Sequence, residues 1–283
     1  MQPLERSAYL AAQAREHDPD RFLTALFAPP ARREAVLALI LLDHELARVP
    51  DAVRQPMAGY IRYQWWRDAL DEIAAGVPAR RHPVAAALAE AVRSGWLAVE
   101  PLQALVDARE GELEGLPGEN LAALEDHVAR TGGLLQELSL AALGGGSPDE
   151  RAAARRIGTA FGLVGRIRAV AREAASRRQA LPSALLREAG VDPSDLAAAR
   201  TSQGLRRVVG AVMDRAEALL ASGREAAGRP ARALMPAFLP APLAASYVAR
   251  VRALGDDPFR AMALARPAGA PLTLLVAWLR RRP

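Results

Sequence analysis

The stretch "IGTAFGLVGRIRAVAREAASRRQALP", Ile157 to Pro182, decides how the whole chain is read. It has helical periodicity, and Gly158, Gly162 and Gly165 fall at i, i+4 and i+7, on one face of that helix. An interior glycine costs a helix roughly 1 kcal/mol relative to alanine. A face stripped of side chains at that cost, leading into Arg166, Arg168, Arg172 and a lone Glu173, needs a physical reason. Two are open. A neighbouring helix packs closely on the stripe, or the stripe borders a cavity whose polar lining has been lost.

Outward from this stretch the same periodicity recurs in nearly every segment, and no run alternates convincingly as a strand. "EAVLALILLDHELARV" (Glu34 to Val49) follows the Pro29-Pro30 punctuation as a mostly apolar helix. "MAGYIRYQWWRDALDEIAAG" closes at Gly76 and "HPVAAALAEAVRSG" at Gly95, where a C′ glycine belongs. Gly111 interrupts the last turn of "EPLQALVDAREGELEG", and Gly144 to Gly146 end the helical run before them. Pro50 removes a helical N–H and predicts a kink or break. No Ser/Gly-rich or charged linker and no internal repeat stands out. The expectation is one all-α domain, residues 1–283, a bundle of about a dozen helices.

Composition narrows the chemistry. Cysteine is absent, which removes disulfides, thiolate metal sites and a cysteine nucleophile. Lysine is absent too, so no P-loop exists, and all 37 basic residues are arginine. The net charge is +5, but the arginines are interleaved with Asp and Glu and aromatics make up only 5% of the chain. That pattern argues against nucleic acid as a partner and leaves an anionic membrane surface as the better match for a basic chain. His17, His44, His82 and His127 lack the spacing of a zinc helix, and no nucleophile elbow appears. The N-terminal "MQPLERSAYLAAQAREHDPDRF" has no apolar signal core, and "PLTLLVAWL" (Pro271 to Leu279) is far short of the roughly 20 residues that span a bilayer. A cytoplasmic protein, peripheral on the inner membrane, is the expectation. "LTLLVAWLRRRP" suits a helix lying on a membrane, although a last core helix with a solvated basic end suits it slightly better.

The order of segments resembles the squalene/phytoene synthase family of head-to-head prenyl transferases. The resemblance runs through "DPDRFLTALFAPPARREAVLAL", "WWRDALDEIAAGVPARRHPVAAAL", "LVDAREGELEG", "HVARTGG" and the stretch quoted first. On that last piece Ile157, Gly158, Ala160, Leu163, Arg168, Val170, Arg178, Leu181 and Pro182 fall on the family pattern without a gap. The resemblance implies an isoprenoid-synthase-like bundle with a central cavity. Such an enzyme ionises allylic diphosphates on magnesium ions, which two facing helices hold with aspartates at i and i+4.

This chain departs at those positions. Ala47 and Arg48 stand where the first motif has its leading aspartates, and only Asp51 remains. In the second motif Ala169 and Arg172 replace acidic residues and only Glu173 remains. The family's glutamine and asparagine are Gly162 and Gly165 here. The degenerate positions expected to line the cavity are therefore Ala47, Asp51, Gly162, Gly165, Ala169 and Glu173, with no catalytic residue and no metal among them. Arg168 and Arg178 match family arginines, for which phosphate or a lipid headgroup and plain structural ion pairs are the competing roles. For Asp43, one turn before Ala47, the competing roles are a substitute for the aspartate missing there and an ion pair with a nearby arginine along its own helix, and the ion pair is expected. Structural roles are expected for Asp107, Arg109 and Glu112, and Trp65 and Trp66 read as core or interface residues.

Loss of both aspartate motifs also resembles the branch of the family that includes a mitochondrial complex I assembly factor, with "ELARVPDAV" and "LVDAREGEL" among the shared pieces. That likeness implies a non-catalytic protein with no cofactor, whose partners are complex I assembly intermediates, an isoprenoid or lipid ligand, and a membrane surface. The alternatives are an active, magnesium-dependent prenyl transferase and an isoprenoid or lipid carrier.

Overall fold

Proline writes most of the helix starts. Pro19, Pro30, Pro56, Pro83, Pro193, Pro240 and Pro258 each sit at the first helical position, where a missing N–H costs nothing and φ is already helical. The computed structural model describes residues 3–53, 55–115, 119–175, 180–262 and 264–283. Among these residues there is no strand.

The first part of the chain forms α1 (Pro3–His17), α2 (Pro19–Ala25) and α3 (Pro30–Ala47). At Pro50 the helix breaks as expected: α3 stops at Ala47 and a single turn, α4 (Val49–Ala52), follows. Next come α5 (Pro56–Ala74), α6 (Pro83–Arg93) and α7 (Val99–Glu110). Gly76 and Gly95 close α5 and α6 with φ of 71° and 68°, a conformation that side chains other than glycine enter at a cost. At Gly111 α7 tightens into a 3₁₀ turn, Gly111–Glu114.

Then α8 (Leu121–Val128), a π turn (Ala129–Gly133) and α9 (Leu134–Ala142) run on as one rod. The long α10 (Pro148–Ala175) carries the glycine stripe. After it come α11 (Ser183–Glu188), α12 (Pro193–Ala197), α13 (Gln203–Ala227), α14 (Pro240–Ala253), α15 (Pro258–Ala261) and α16 (Ala270–Arg280). The stretch 157–182 is thus not one helix to its end. Helix is described to Ala175, Ala180 and Leu181 are a bend, and Pro182 caps α11, because proline holds its predecessor out of the helical region.

Helix α10 is the axis of the packing. It lies against α13 on one side and against the α8–α9 rod on another, with α14 and α15 also touching it. Ile157, Leu163, Val164 and Ile167 of α10 are almost fully buried, each contributing roughly 1.5–3 kcal/mol by leaving water. The apolar core that they join runs from Leu10 to Ala261. A separate small cluster, built on Met235, Leu239 and Leu243, lies under α16.

Candidate functional site

The glycine stripe has two physical explanations, one for each end. A Cβ on Gly158 would run into the carbonyl oxygen of Gly132 and stand 2.6 Å from the Gln136 Cβ. On Gly162 it would stand 2.5 Å from a methyl of Val128. Both glycines therefore let α10 press against the rod at its π turn, where Gly132 and Gly133 answer from the other side. At Gly165 a Cβ would meet nothing within 4 Å. Close packing explains the first two positions, and at the third the helices have parted.

Past that point a charge network takes over. Asp43 of α3, one turn before Ala47, is buried and receives the Arg109 guanidinium through Nη2 at 2.6 Å and Nε at 3.0 Å. Arg109, at the end of α7, also donates through Nη1 to Glu112 at 2.9 Å. The Glu112 carboxylate is shared with the buried His127 of α8, whose Nε2 lies 2.8 Å away. On α10, Arg166 donates to Glu173 at 2.9 Å, the two side chains standing two turns apart on nearly one face. The Tyr63 hydroxyl lies 3.0 Å from the carbonyl oxygens of both Leu46 and Arg109, fixing the end of α7 beside the broken end of α3.

Electrostatics join the two halves. Burial acts to raise the Glu112 carboxyl, yet the charges of Arg109 and Arg166 and the His127 hydrogen bond hold it down to about 2. Burial lowers Arg166 despite its carboxylate neighbours, whereas the charges of Asp43 and Glu112 outweigh burial and raise Arg109. Guanidinium groups thus stand among the carboxylates that flank both motif positions.

The expected site residues differ in their surroundings. Glu173 is buried in the network, and Ala47 and Ala169 are half-buried. Asp51 is exposed on α4, at the break. Arg168 lies about 140° around α10 from Glu173 and belongs to another contact altogether. Its guanidinium covers the Tyr247 ring at 4.1 Å, stands 3.7 Å from Asp20 and donates to the Leu264 carbonyl at 3.2 Å. The Tyr247 hydroxyl donates to the buried Asp20 at 2.8 Å, so this trio ties α10 to α2 and α14. Arg178 lies outside the described residues.

Asp43 does not pair along its own helix; its partner, Arg109, comes from α7. Helix periodicity finds neighbours one turn away and is blind to a partner 66 residues on. Asp107 is exposed and bonded to Arg67, away from the network that Arg109 and Glu112 join. The Arg109–Glu112 spacing in "AREGE" was the one visible signal of this network, while His127 and Arg166 carried none. Trp65 and Trp66 meet edge to face at 5.0 Å and both meet the His82 ring at 5.3 Å. With Glu45 they line a cavity of 360 Å³ outside the α3–α4 break, where burial pushes the Glu45 carboxyl up to about 7 against the opposing charge of Arg48. A larger cavity, 690 Å³, opens beyond the charged half of α10, lined by Val170, Leu181, Leu186, Val191 and Leu196.

The squalene/phytoene synthase family model matches residues 14–275. The chain belongs to the squalene/phytoene synthase family. Two solved members of like fold are a dehydrosqualene synthase, superposing with a TM-score of 0.84 over 98% of this chain and 96% of that one at 16% identity, and squalene synthase HpnC from Alicyclobacillus acidocaldarius, at 0.76 over 91% and 98% with 21% identity. Among characterised sequences the chain is similar to NADH dehydrogenase (ubiquinone) complex I, assembly factor 6. The Bos taurus protein is 28% identical over 274 residues, which covers 97% of this chain and 82% of the relative. The Homo sapiens protein is 28% identical over 251 residues, 89% and 75% of the two chains. Family chemistry on diphosphates calls for a magnesium cluster, and the donor set here does not fit one. Among the described residues no group of three or more His, Asp or Glu side chains is arranged to hold a metal ion, and Asp43, Glu112 and Glu173 all receive guanidinium hydrogen bonds.

Proposed function

We propose that this member of the squalene/phytoene synthase family performs no diphosphate chemistry and supports assembly of a respiratory NADH dehydrogenase by binding, at the inner membrane. One observation supports the reading: guanidinium groups meet the carboxylates around Glu173, the acidic residue left in the second motif. Magnesium demands near-octahedral oxygen ligands, and an allylic diphosphate leaves only when metal charge stabilises it. Here Arg109 and Arg166 take up the acceptor oxygens of Asp43, Glu112 and Glu173. The likeness to complex I assembly factor 6 along almost the whole chain supports the choice of process.

The test is a deletion strain. Assembled complex I is expected to fall while the isoprenoid profile stays unchanged, and complementation is expected to survive Asp51→Asn at the exposed motif position. Purified protein given magnesium and labelled farnesyl or geranylgeranyl diphosphate is expected to yield background product only. Normal complex I with missing isoprenoids, or turnover abolished by Asp51→Asn, would establish the prenyl transferase instead. The 690 Å³ apolar cavity favours a second role alongside the first, holding an isoprenoid or lipid tail, since its size lies within the range of small-molecule sites. Mass spectrometry of organic extracts of the purified protein checks it.

A further inference from the structure

Helix α16 is apolar on both sides, and only one side is used. Ala270, Leu274 and Ala277 face inward onto Met235, Leu239 and Leu243. Trp278 meets Phe27 at 5.9 Å and lies under the Arg232 guanidinium at 5.0 Å. The opposite side carries Leu272, Leu275, Val276 and Leu279, at i, i+3, i+4 and i+7. These are 66%, 41%, 38% and 52% exposed. That spacing is the core stripe of an ordinary amphipathic helix, here left bare.

The chain that carries the stripe is basic. Residues 258–283 contain five arginines and no Asp or Glu. The helix ends on Arg280, Arg281 and Arg282, and Arg281 folds back to donate at 2.8 Å to the carbonyls of Arg229 and Pro230. That contact gathers a further arginine, Arg229, beside the helix end. Arg280 and Arg282 are exposed. A second copy of this chain seated on the stripe would bring its own arginines against these.

Among the described residues no helix is long and apolar enough to cross a membrane, and α16 has 11 residues. A short bare apolar stripe bordered by arginine is the pattern of a helix lying in the plane of a bilayer surface.

We infer that α16 docks on an anionic lipid bilayer, its Leu272–Leu279 stripe at the level of the upper acyl chains and Arg280 and Arg282 on headgroup phosphates. This identifies the membrane-facing surface of the function proposed above and rests on the membrane part of that reading. The experiment is co-sedimentation of the full chain with phosphatidylcholine vesicles, with and without phosphatidylglycerol. Binding is expected with phosphatidylglycerol and is expected to weaken with added salt. Leu275→Ser with Leu279→Ser is expected to lower the partition constant at least about tenfold, because two apolar side chains lose their burial. Arg280→Gln with Arg282→Gln is expected to lower it roughly tenfold on anionic vesicles only.

Melting curves of both variants should match the parent, since all four side chains are exposed. Binding that ignores both pairs of substitutions would overturn the inference. So would a dimer in solution that the leucine substitutions convert to monomer while vesicles bind nothing. Either failure leaves the assembly role standing, because the deletion strain reads that role without vesicles.

Discussion

The two halves of α10 meet their neighbours in opposite ways. Around Gly158 the helix touches the α8–α9 rod backbone to backbone, and at Gly162 it meets the Val128 side chain, with no room for a methyl group at either. Around Arg166 and Glu173 it presents long charged side chains, in a region that also holds Glu112, Arg109 and Asp43. Gly165 stands at the change-over, where the helices have separated. In the first half an added atom is costly; in the second half a removed charge is costly. One helix thus meets its neighbours by shape at one end and by charge at the other. The close approach at the glycines holds the bundle, and guanidinium groups occupy the neighbourhood of the motif carboxylates.

The largest expected effect lies in the charged half. Arg109→Ala leaves Asp43 and Glu112 buried without their guanidinium, and breaking such a pair costs about 3–5 kcal/mol. Urea unfolding of the parent and variant measures it, and a Glu112→Gln change in the same variant should restore part of the loss. A loss below about 1 kcal/mol would mean that these charges are hydrated and the network is no more than a surface one.

Acid tests the same region without mutation. The folded Glu112 carboxyl sits at about 2 against an ordinary 4.5, so its contribution is fully present above pH 4.5 and is lost as the pH falls toward 2. That contribution is on the order of 3 kcal/mol. Glu112→Gln should flatten the stability profile across this window, and an unchanged slope would place the acid sensitivity elsewhere.

The smallest effects compare the glycines directly. Gly158→Ala forces a methyl against the Gly132 carbonyl and should cost about 1–3 kcal/mol. Gly165→Ala meets open space and should stabilise by up to about 1 kcal/mol through helix propensity alone. Equal shifts from the two substitutions would erase the distinction between the halves of α10.

Much of this was legible in the chain. Proline at helix starts, Gly76 and Gly95 as caps and the break at Pro50 are local effects, set by backbone sterics within a few residues. Membership of the squalene/phytoene synthase family was equally plain. Other features were not. The Gly158, Gly162 and Gly165 spacing announces a bare helix face but not what approaches it, because that depends on the rod bringing Gly132 and Val128 alongside. Arg168 and Arg166 look alike in sequence, yet one covers Tyr247 and the other holds Glu173, since two residues turn a helix through more than half a circle.

Residue order alone was enough for an all-helical bundle, its punctuation and its family. Local propensity and residue identity suffice for those. Tertiary structure alone decided that Arg109 of α7 reaches Asp43 of α3, that two glycines of the stripe pack while the third stands open, and that α16 spends one apolar face on the bundle and leaves the other bare. Each of these depends on which distant segment arrives at a surface, and periodicity within one helix carries no information about its partner.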